Sequence, residues 1–213
     1  MHHLTSEEIH HYCETYTSKE TELLYDLNRQ THLKTELPIM LSGQLQGKFL
    51  SMISHMIKPM NILEIGTFTG YSALCLAEGL QADGKLITID NHAEQATMAQ
   101  LYFDQSSFKN QINLIVGNAI DVIQYLNYEF DLVFIDADKI NYSKYFDLII
   151  DKVKKGGYIL ADNVLYNAEV LDEKNRSKNA NAMHAYNKKM NSDNRLENVL
   201  LPLRDGIMMS RKK

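Results

Sequence analysis

The chain is predicted to be an α/β protein with a mostly parallel sheet, helices on both faces and a C-terminal antiparallel hairpin. Three observations carry this. First, Asn61 to Ser72 reads as an apolar run (Ile62, Leu63, Ile65), two glycines (Gly66, Gly70) and the start of a helix at Tyr71. Strand, glycine turn and helix open a nucleotide-binding α/β unit. Second, apolar runs of strand length then alternate with helical segments, and the runs are continuous, as in strands covered on both faces. Third, 213 residues with 45% hydrophobic and 23% charged content fit one α/β domain with a sizeable core.

The elements follow in order. Residues 5 to 30 predict two short helices. Thr5-Ser6-Glu7-Glu8 caps the first before Ile9, and Ser18 caps the second before Leu23, Leu24 and Leu27. Ile39 to Ile57 predicts a helix whose stripe Leu45, Phe49, Met52, Ile53 and Met56 faces the core. Pro59 ends it and opens the first strand. Tyr71 to Leu80 is a helix. Asp83-Gly84 turns into the strand Lys85 to Asp90. A helix from His92 to Asp104, a strand from Ile112 to Val116 and a helix ending near Leu126 come next. Phe130 to Asp136 is the fourth strand, and Tyr142 to Val153 the helix after it. Gly156-Gly157 turns into a strand over Tyr158 to Ala161. A helix near Asn179 to Met190 precedes two strands, Glu197 to Leu203 and Gly206 to Arg211, closed by Arg204-Asp205. Residues 1–57 are expected to form a lid and a dimer or substrate region, and 58–213 the binding core.

Composition excludes several classes. A formal charge of −5 does not favour nucleic acid or an anionic membrane surface. Cys13 and Cys75 are the only cysteines, which excludes a disulfide framework and zinc spacing and fits the cytoplasm. No apolar run has membrane-spanning length, and the N-terminus lacks a signal-peptide core. His2 and His3 are too few to decide for or against a tag. His10 and His11 are adjacent, so they point to different faces of a helix and are poor joint ligands.

In open parallel sheets, ligands sit beyond the carboxyl ends of the strands. Those ends carry Glu64 and Gly66, Asp90, Gly117 and Ala119, Asp136 to Lys139, and Asp162-Asn163. Position 68 is Phe, so the three-glycine pyrophosphate fingerprint is absent. Glu64 suits a ligand with a cationic or hydroxyl-rich part. Asp90, 24 residues after Gly66, is placed to take ribose hydroxyls, since a carboxylate accepts two hydrogen bonds. The less favoured alternative is a cap for the helix starting at His92, and the two are compatible. Asp136, Asp162 and Asn163 offer oxygen donors without His or Cys, which suits Mg²⁺ or Ca²⁺ rather than zinc. Strand-end turns also favour Asp and Asn. Lys139, three residues past Asp136, has its ammonium form disfavoured beside a dication and can then take a proton. Solvated surface is the ordinary alternative for a lysine.

With these residues in view, the chain resembles the cation-dependent class I O-methyltransferases, the catechol and caffeoyl-coenzyme A group and its bacterial relatives. The resemblance rests on Leu63-Glu64-Ile65-Gly66-Thr67-Phe68-Thr69-Gly70-Tyr71-Ser72, Phe134-Ile135-Asp136-Ala137-Asp138-Lys139, Ala161-Asp162-Asn163-Val164-Leu165 and Pro202-Leu203-Arg204-Asp205-Gly206. It implies a seven-stranded Rossmann-like fold and S-adenosylmethionine as methyl donor. By position, Met40, Glu64, Gly66, Tyr71, Ser72, Asp90, Ala119 and Asp136 would hold that cofactor. Asp136, Asp162 and Asn163 would hold Mg²⁺ (or Ca²⁺ or Mn²⁺). Lys139 would be the base and, with Tyr166, would face the acceptor. The implied reaction methylates one hydroxyl of a catechol-type small molecule, in a cytoplasmic homodimer.

Two further readings stand beside it. An RNA-modifying member of the fold would methylate a hydroxylated uridine in tRNA and needs a basic surface near the metal edge. Lys139, Lys144, Lys174, Arg176, Lys178, Lys188 and Lys189 offer one, against an acidic total. A non-catalytic nucleotide-binding module would have no use for a metal edge with a base. The chain departs from the family at Arg204, where a small residue, often Gly, is usual. The charged segment Asn167 to Asn181 matches no pattern of substrate choice.

Overall fold

The computed structural model describes residues 6–213; His2, His3 and Thr5 lie outside the described residues. Seven strands form one sheet in the order β3-β2-β1-β4-β5-β7-β6. β1 (Asn61–Ile65), β2 (Lys85–Asp90), β3 (Ile112–Val116), β4 (Phe130–Ile135) and β5 (Val153–Ala161) are parallel. β7 (Ile207–Lys212) lies antiparallel between β5 and β6 (Leu196–Leu201). Among the described residues there are eight α-helices: α1 (Glu7–Thr15), α2 (Glu22–Lys34), α3 (Gly43–Ile57), α4 (Tyr71–Ala77), α5 (Ala93–Gln105), α6 (Ala119–Tyr125), α7 (Tyr142–Ile149) and α8 (Lys178–Ser192).

Strand side chains alternate between faces, so each strand feeds two cores. Leu63, Ile65, Val133, Ile135 and Ile159 pack under α6, α7 and α8, with Phe146, Tyr186 and Met190. Ile62, Leu132, Phe134 and Leu160 pack on the other face, under α2 to α5. Glu64 shares its parity with Ile62. A carboxyl group therefore stands on the α4 side in a place built for an apolar side chain, and it is fully buried.

Several local expectations need correction. α2 begins after Thr21, whose hydroxyl accepts from Leu24 N–H at 3.3 Å; Ser18 is not its cap. The predicted helix over 39–57 divides into a short 3-10 turn, Pro38–Met40, and α3. α7 gives way to a 3-10 turn over Ile150–Lys152, and β5 begins at Val153. Gly156-Gly157 therefore lies inside β5, where the pairing with β4 slips between Phe130 and Leu132 and Gly156 takes φ +82°. A bulge with a left-handed residue absorbs the extra chain there.

The largest difference concerns α3. Its apolar stripe faces the core only in part: Phe49 and Ile53 pack at the core's edge, Leu45 is partly covered, and Met52 is 60% and Met56 78% exposed. The buried side is Gln46, Gly47, Leu50, Ser51 and Ser54. The cause is close approach to the α4 segment. A Cβ on Gly47 would lie 2.6 Å from the Tyr71 ring, and one on Gly79 would lie 2.2 Å from the Ser54 backbone. Ser54 Oγ donates to Leu76 O at 2.6 Å, and Ser51 Oγ to Glu78 Oε2 at 2.5 Å. Small residues and hydroxyls win this face because larger apolar ones do not fit.

The N-terminal helices are fastened over the carboxyl edge of the sheet. Tyr71 OH donates to Glu20 Oε1 (2.5 Å), Tyr102 OH to Asp26 Oδ2 (2.6 Å), and Thr31 and Thr69 hydroxyls pair at 2.9 Å.

Candidate active site

Strand order reverses between β1 and β4, and a cleft of about 810 Å³ opens at the carboxyl ends there. That size suits a small ligand pair. Of the residues singled out in the sequence, Met40, Gly66, Tyr71, Ser72, Asp90, Ala119, Asp136, Lys139, Asp162, Asn163 and Tyr166 all line it. Glu64 does not; it lies under the floor.

The β1–β2 half is built by backbone geometry. Gly66 has φ +98°, and a Cβ there would sit 1.9 Å from Asp136 O, so β4 itself demands the glycine. Asp90 Oδ2 accepts from Thr67 N–H (3.0 Å) and Phe68 N–H (2.7 Å), and Oδ1 from His92 N–H (2.9 Å). Asp90 thus lines the cleft and ties its rim to the chain entering the next helix, but it is not that helix's cap: His92 stands at the cap position, and no side chain caps it. Asp90 also holds Phe68 at φ +49°, where a non-glycine residue is strained. Glu64 Oε2 accepts from Thr88 Oγ1 at 2.5 Å, and the Ser72 hydroxyl beside the carboxyl group draws its pKa down against burial. Glu64 Oε1 has no partner. Burial is the main reason its pKa is pushed up to about 8. An orphaned buried oxygen beneath Ser72 fits a site that receives a donor from a ligand.

The β4–β5 half holds the carboxylates. Ile135 pairs with Ala161, so Asp136 and Asp162 leave adjacent strands side by side. Asp162 is 2% exposed, and its pKa is pushed up to about 6, first by burial and then by the Asp136 charge. A cation between such groups offsets both causes. Among the described residues no three His, Cys, Asp or Glu side chains cluster as metal ligands. The candidate set instead has two carboxylates and the Asn163 amide, all hard oxygen donors, and so fits Mg²⁺, Mn²⁺ or Ca²⁺ by chemistry. Lys139 is 14% exposed at its side chain, not a solvated surface lysine. Its Nζ donates to Asp136 Oδ1 (3.0 Å), Ala137 O (3.0 Å) and Tyr142 OH (2.9 Å).

Sequence reasoning missed four contributors. Tyr142 is fully buried and its hydroxyl donates to Asp162 O at 3.0 Å, so it ties Lys139 to the β5 end. Burial raises its pKa and keeps it a neutral phenol. Gln46 Nε2 donates to Asp162 Oδ2 at 2.7 Å from the buried side of α3. Arg204 Nη1 donates to Ser42 O (2.6 Å) and Gln46 Oε1 (3.1 Å). Asp205 Oδ1 accepts from Asn167 N–H at 2.5 Å, and Asn167 itself lines the cleft. The loop it grips holds Asn163, Tyr166, Asn167 and Ala168 at φ between +45° and +63°. Tyr166 is steadied from α8, its hydroxyl accepting from Asn179 Nδ2 at 2.8 Å. Only Arg204 and Asp205, inside the Pro202 to Gly206 motif, left a signal in the sequence, and it did not reveal their partners.

Comparison with known proteins agrees with this layout. A family model described as O-methyltransferase matches residues 14–213. Catechol O-methyltransferase of Niastella koreensis is 33% identical over 162 residues, covering 74% of this chain and 73% of that protein. Caffeoyl-CoA O-methyltransferase of Petroselinum crispum is 31% identical over 206 residues, covering 91% and 85%. The SAH-bound methyltransferase PaMTH1 of Podospora anserina superposes with a TM-score of 0.91 at 26% identity, over 100% of this chain and 97% of that one. The O-methyltransferase of Bacillus cereus in complex with SAH gives 0.89 at 26% identity, over 97% of each chain. The fold, the cleft at the strand reversal and these matches together make the chain a member of the class I, S-adenosylmethionine-dependent O-methyltransferases.

Proposed function

We propose that the methyl acceptor is a vicinal dihydroxy aromatic small molecule, and that Asp136, Asp162 and Asn163 hold a divalent cation beside it. One observation carries this reading: two neighbouring buried-edge carboxylates and an amide stand next to Lys139 in the same cleft as the cofactor residues. The names of the catechol and caffeoyl-CoA relatives support it. Asp90 would hold the ribose hydroxyls, with Met40, Tyr71, Ser72 and Ala119 around the rest of the donor. When bound, the cation would lower the pKa of a chelated hydroxyl. Lys139 Nζ would take that proton, and Tyr166 would wall the ring. The remaining work of the cleft is in-line positioning. Here the free cysteines Cys13 and Cys75 favour a cytoplasmic site of action, and no described helix is long and apolar enough to cross a membrane.

The test is a panel of catechols with S-adenosylmethionine and Mg²⁺, with and without EDTA. Methylated product that disappears on chelation is the expected result. Turnover indifferent to EDTA would remove the cation from the reading. Turnover on hydroxyuridine tRNA with none on catechols would replace the acceptor. The basic surface that tRNA would need is partly spent: Lys189 pairs with Asp147 at 2.6 Å, and Arg176 Nε donates to Val170 O at 2.9 Å.

The homodimer is also part of this reading. The outward stripe of α3 adjoins a groove lined by Ile53, Met56, Tyr158, Val199 and Met209. Met52, Met56 and Val199 are each at least 46% exposed. Lys154, Lys155 and Arg211 stand with Glu197 along the same groove, so it carries both signs of charge and can complement a second copy. Met56→Asp combined with Val199→Asp is expected to shift the protein from dimer to monomer in light scattering. An unchanged mass would place the interface elsewhere.

A further inference from the structure

The β6–β7 turn touches both amide groups that frame the candidate cation site, and it touches each through a group of only one hydrogen-bonding kind. A guanidinium only donates and a carboxylate only accepts. Arg204 Nη1 donates to Gln46 Oε1 at 3.1 Å. Gln46 must therefore present its NH₂ end elsewhere, and it does so to Asp162 Oδ2 at 2.7 Å. Asp205 works in the opposite sense. It is 4% exposed, and the neighbouring Asn163 side chain, acting as a hydrogen-bond donor, draws its pKa down against the rise that burial causes. A carboxylate takes the NH₂ end of that amide, which leaves the Asn163 carbonyl oxygen, the only end that can bind a cation, to face away from Asp205.

We infer that Arg204 and Asp205 are positioning residues: adjacent in one turn, Arg204 turns the Gln46 amide so that its NH₂ end holds Asp162, and Asp205 takes the NH₂ end of Asn163, so that the Asp162 carboxylate and the Asn163 carbonyl oxygen converge on one cation. The inference rests on the cation reading above. The turn is well placed for the task. Asp205 also grips the left-handed loop through Asn167 N–H, and Val164 and Leu165 N–H bond to Gly206 O (3.1 Å) and Asp205 O (3.0 Å). Asp162 and Asn163 are thereby docked against the turn from both backbone and side chain. Gln46 is fully buried, so its amide has no water to compensate a wrong orientation.

Mn²⁺ affinity measured by paramagnetic resonance tests this without turnover. Asp205→Asn keeps the shape and an acceptor for Asn167 but lets the Asn163 amide face either way. Gln46→Met keeps the volume and changes no charge. Each is expected to weaken Mn²⁺ binding about tenfold or more, the usual effect of losing a partner that orients a ligand. Asp138→Asn removes the same unit of charge from the same cleft and is expected to change affinity less than about threefold. S-adenosylhomocysteine affinity serves as the check that each variant is folded, and Gln46→Met decides if Asp205→Asn fails it. Affinities within about threefold of wild type for both positioning variants would overturn the inference alone, as would an Asp138→Asn effect equal to that of Asp205→Asn. A wild type that binds no Mn²⁺ would overturn the cation reading and this inference together.

Discussion

Replacing Lys139 with methionine is expected to lower kcat by about 10²–10⁴-fold, the usual worth of a positioned general base, with S-adenosylhomocysteine affinity nearly unchanged. The geometry makes this a sharp test. Lys139 Nζ reaches Asp136 Oδ1, Ala137 O and Tyr142 OH, which together engage all three protons of an ammonium. A lysine so held has two candidate uses. It can serve as a fixed positive charge beside Asp136, or it can give up a proton to become a base when a dication occupies the same carboxylate. Lys139→Arg separates them. Arginine keeps the charge but does not deprotonate in proteins. A base role predicts that Lys139→Arg is as slow as Lys139→Met. Recovery of most of kcat by Lys139→Arg would show that only the charge matters. Single-turnover measurement keeps product release out of the comparison.

The parts of the molecule that were legible in the sequence share a physical cause. A parallel strand covered on both faces is apolar along most of its length, so Ile62 to Ile65 (Glu64 apart) and Leu132 to Ile135 announce themselves, and the first polar residue after each run marks the carboxyl edge. Asp90, Asp136 and Asp162 are legible in that way. What stayed hidden depended on tertiary contact. The α3 stripe reads as core because periodicity tells how wide an apolar face is, not which neighbour it meets. Gly47 and Gly79 bring α3 and α4 too close for side chains of that size, so the helix buries its polar side. Gln46 was invisible for the same reason. Arg204 and Asp205 read as turn residues, since nothing in a hairpin loop reveals partners as far along the chain as Ser42 and Asn167. Gly156-Gly157 reads as a turn when it is a bulge within β5, because both structures ask for the same left-handed backbone.

Glu64→Gln is expected to stabilise the cofactor-free protein at alkaline pH and to weaken its grip on S-adenosylmethionine. The sign follows from where the group titrates. In the fold, Glu64 is pushed up to about 8 from an ordinary value of 4.5, chiefly by burial. Below pH 4.5 the group is protonated in folded and unfolded chains alike and costs nothing. Between 4.5 and about 8 the unfolded chain ionises while the fold does not, so native stability falls as pH rises. The loss is about 1.36 kcal/mol for each pH unit crossed, and it levels off once the folded group ionises. Glutamine has no such titration and still accepts the Thr88 bond. Wild type should therefore lose several degrees of Tm between pH 5 and pH 8 that Glu64→Gln retains, by the usual conversion of free energy to Tm. The cofactor pulls the other way. Glu64 Oε1 is buried without a partner, and a hydrogen bond to a group kept neutral by burial is worth about 0.5–1.5 kcal/mol, so the variant should bind S-adenosylmethionine about 2–10-fold more weakly. Calorimetric titration at pH 8 reads that loss, and thermal melts of the cofactor-free protein read the gain. A flat difference in Tm across this pH range would mean that Glu64 is not the neutralised group its burial implies. Unchanged affinity would mean that its orphaned oxygen serves the fold alone, and that Ser72 above it, not Glu64, is what the methyl donor meets.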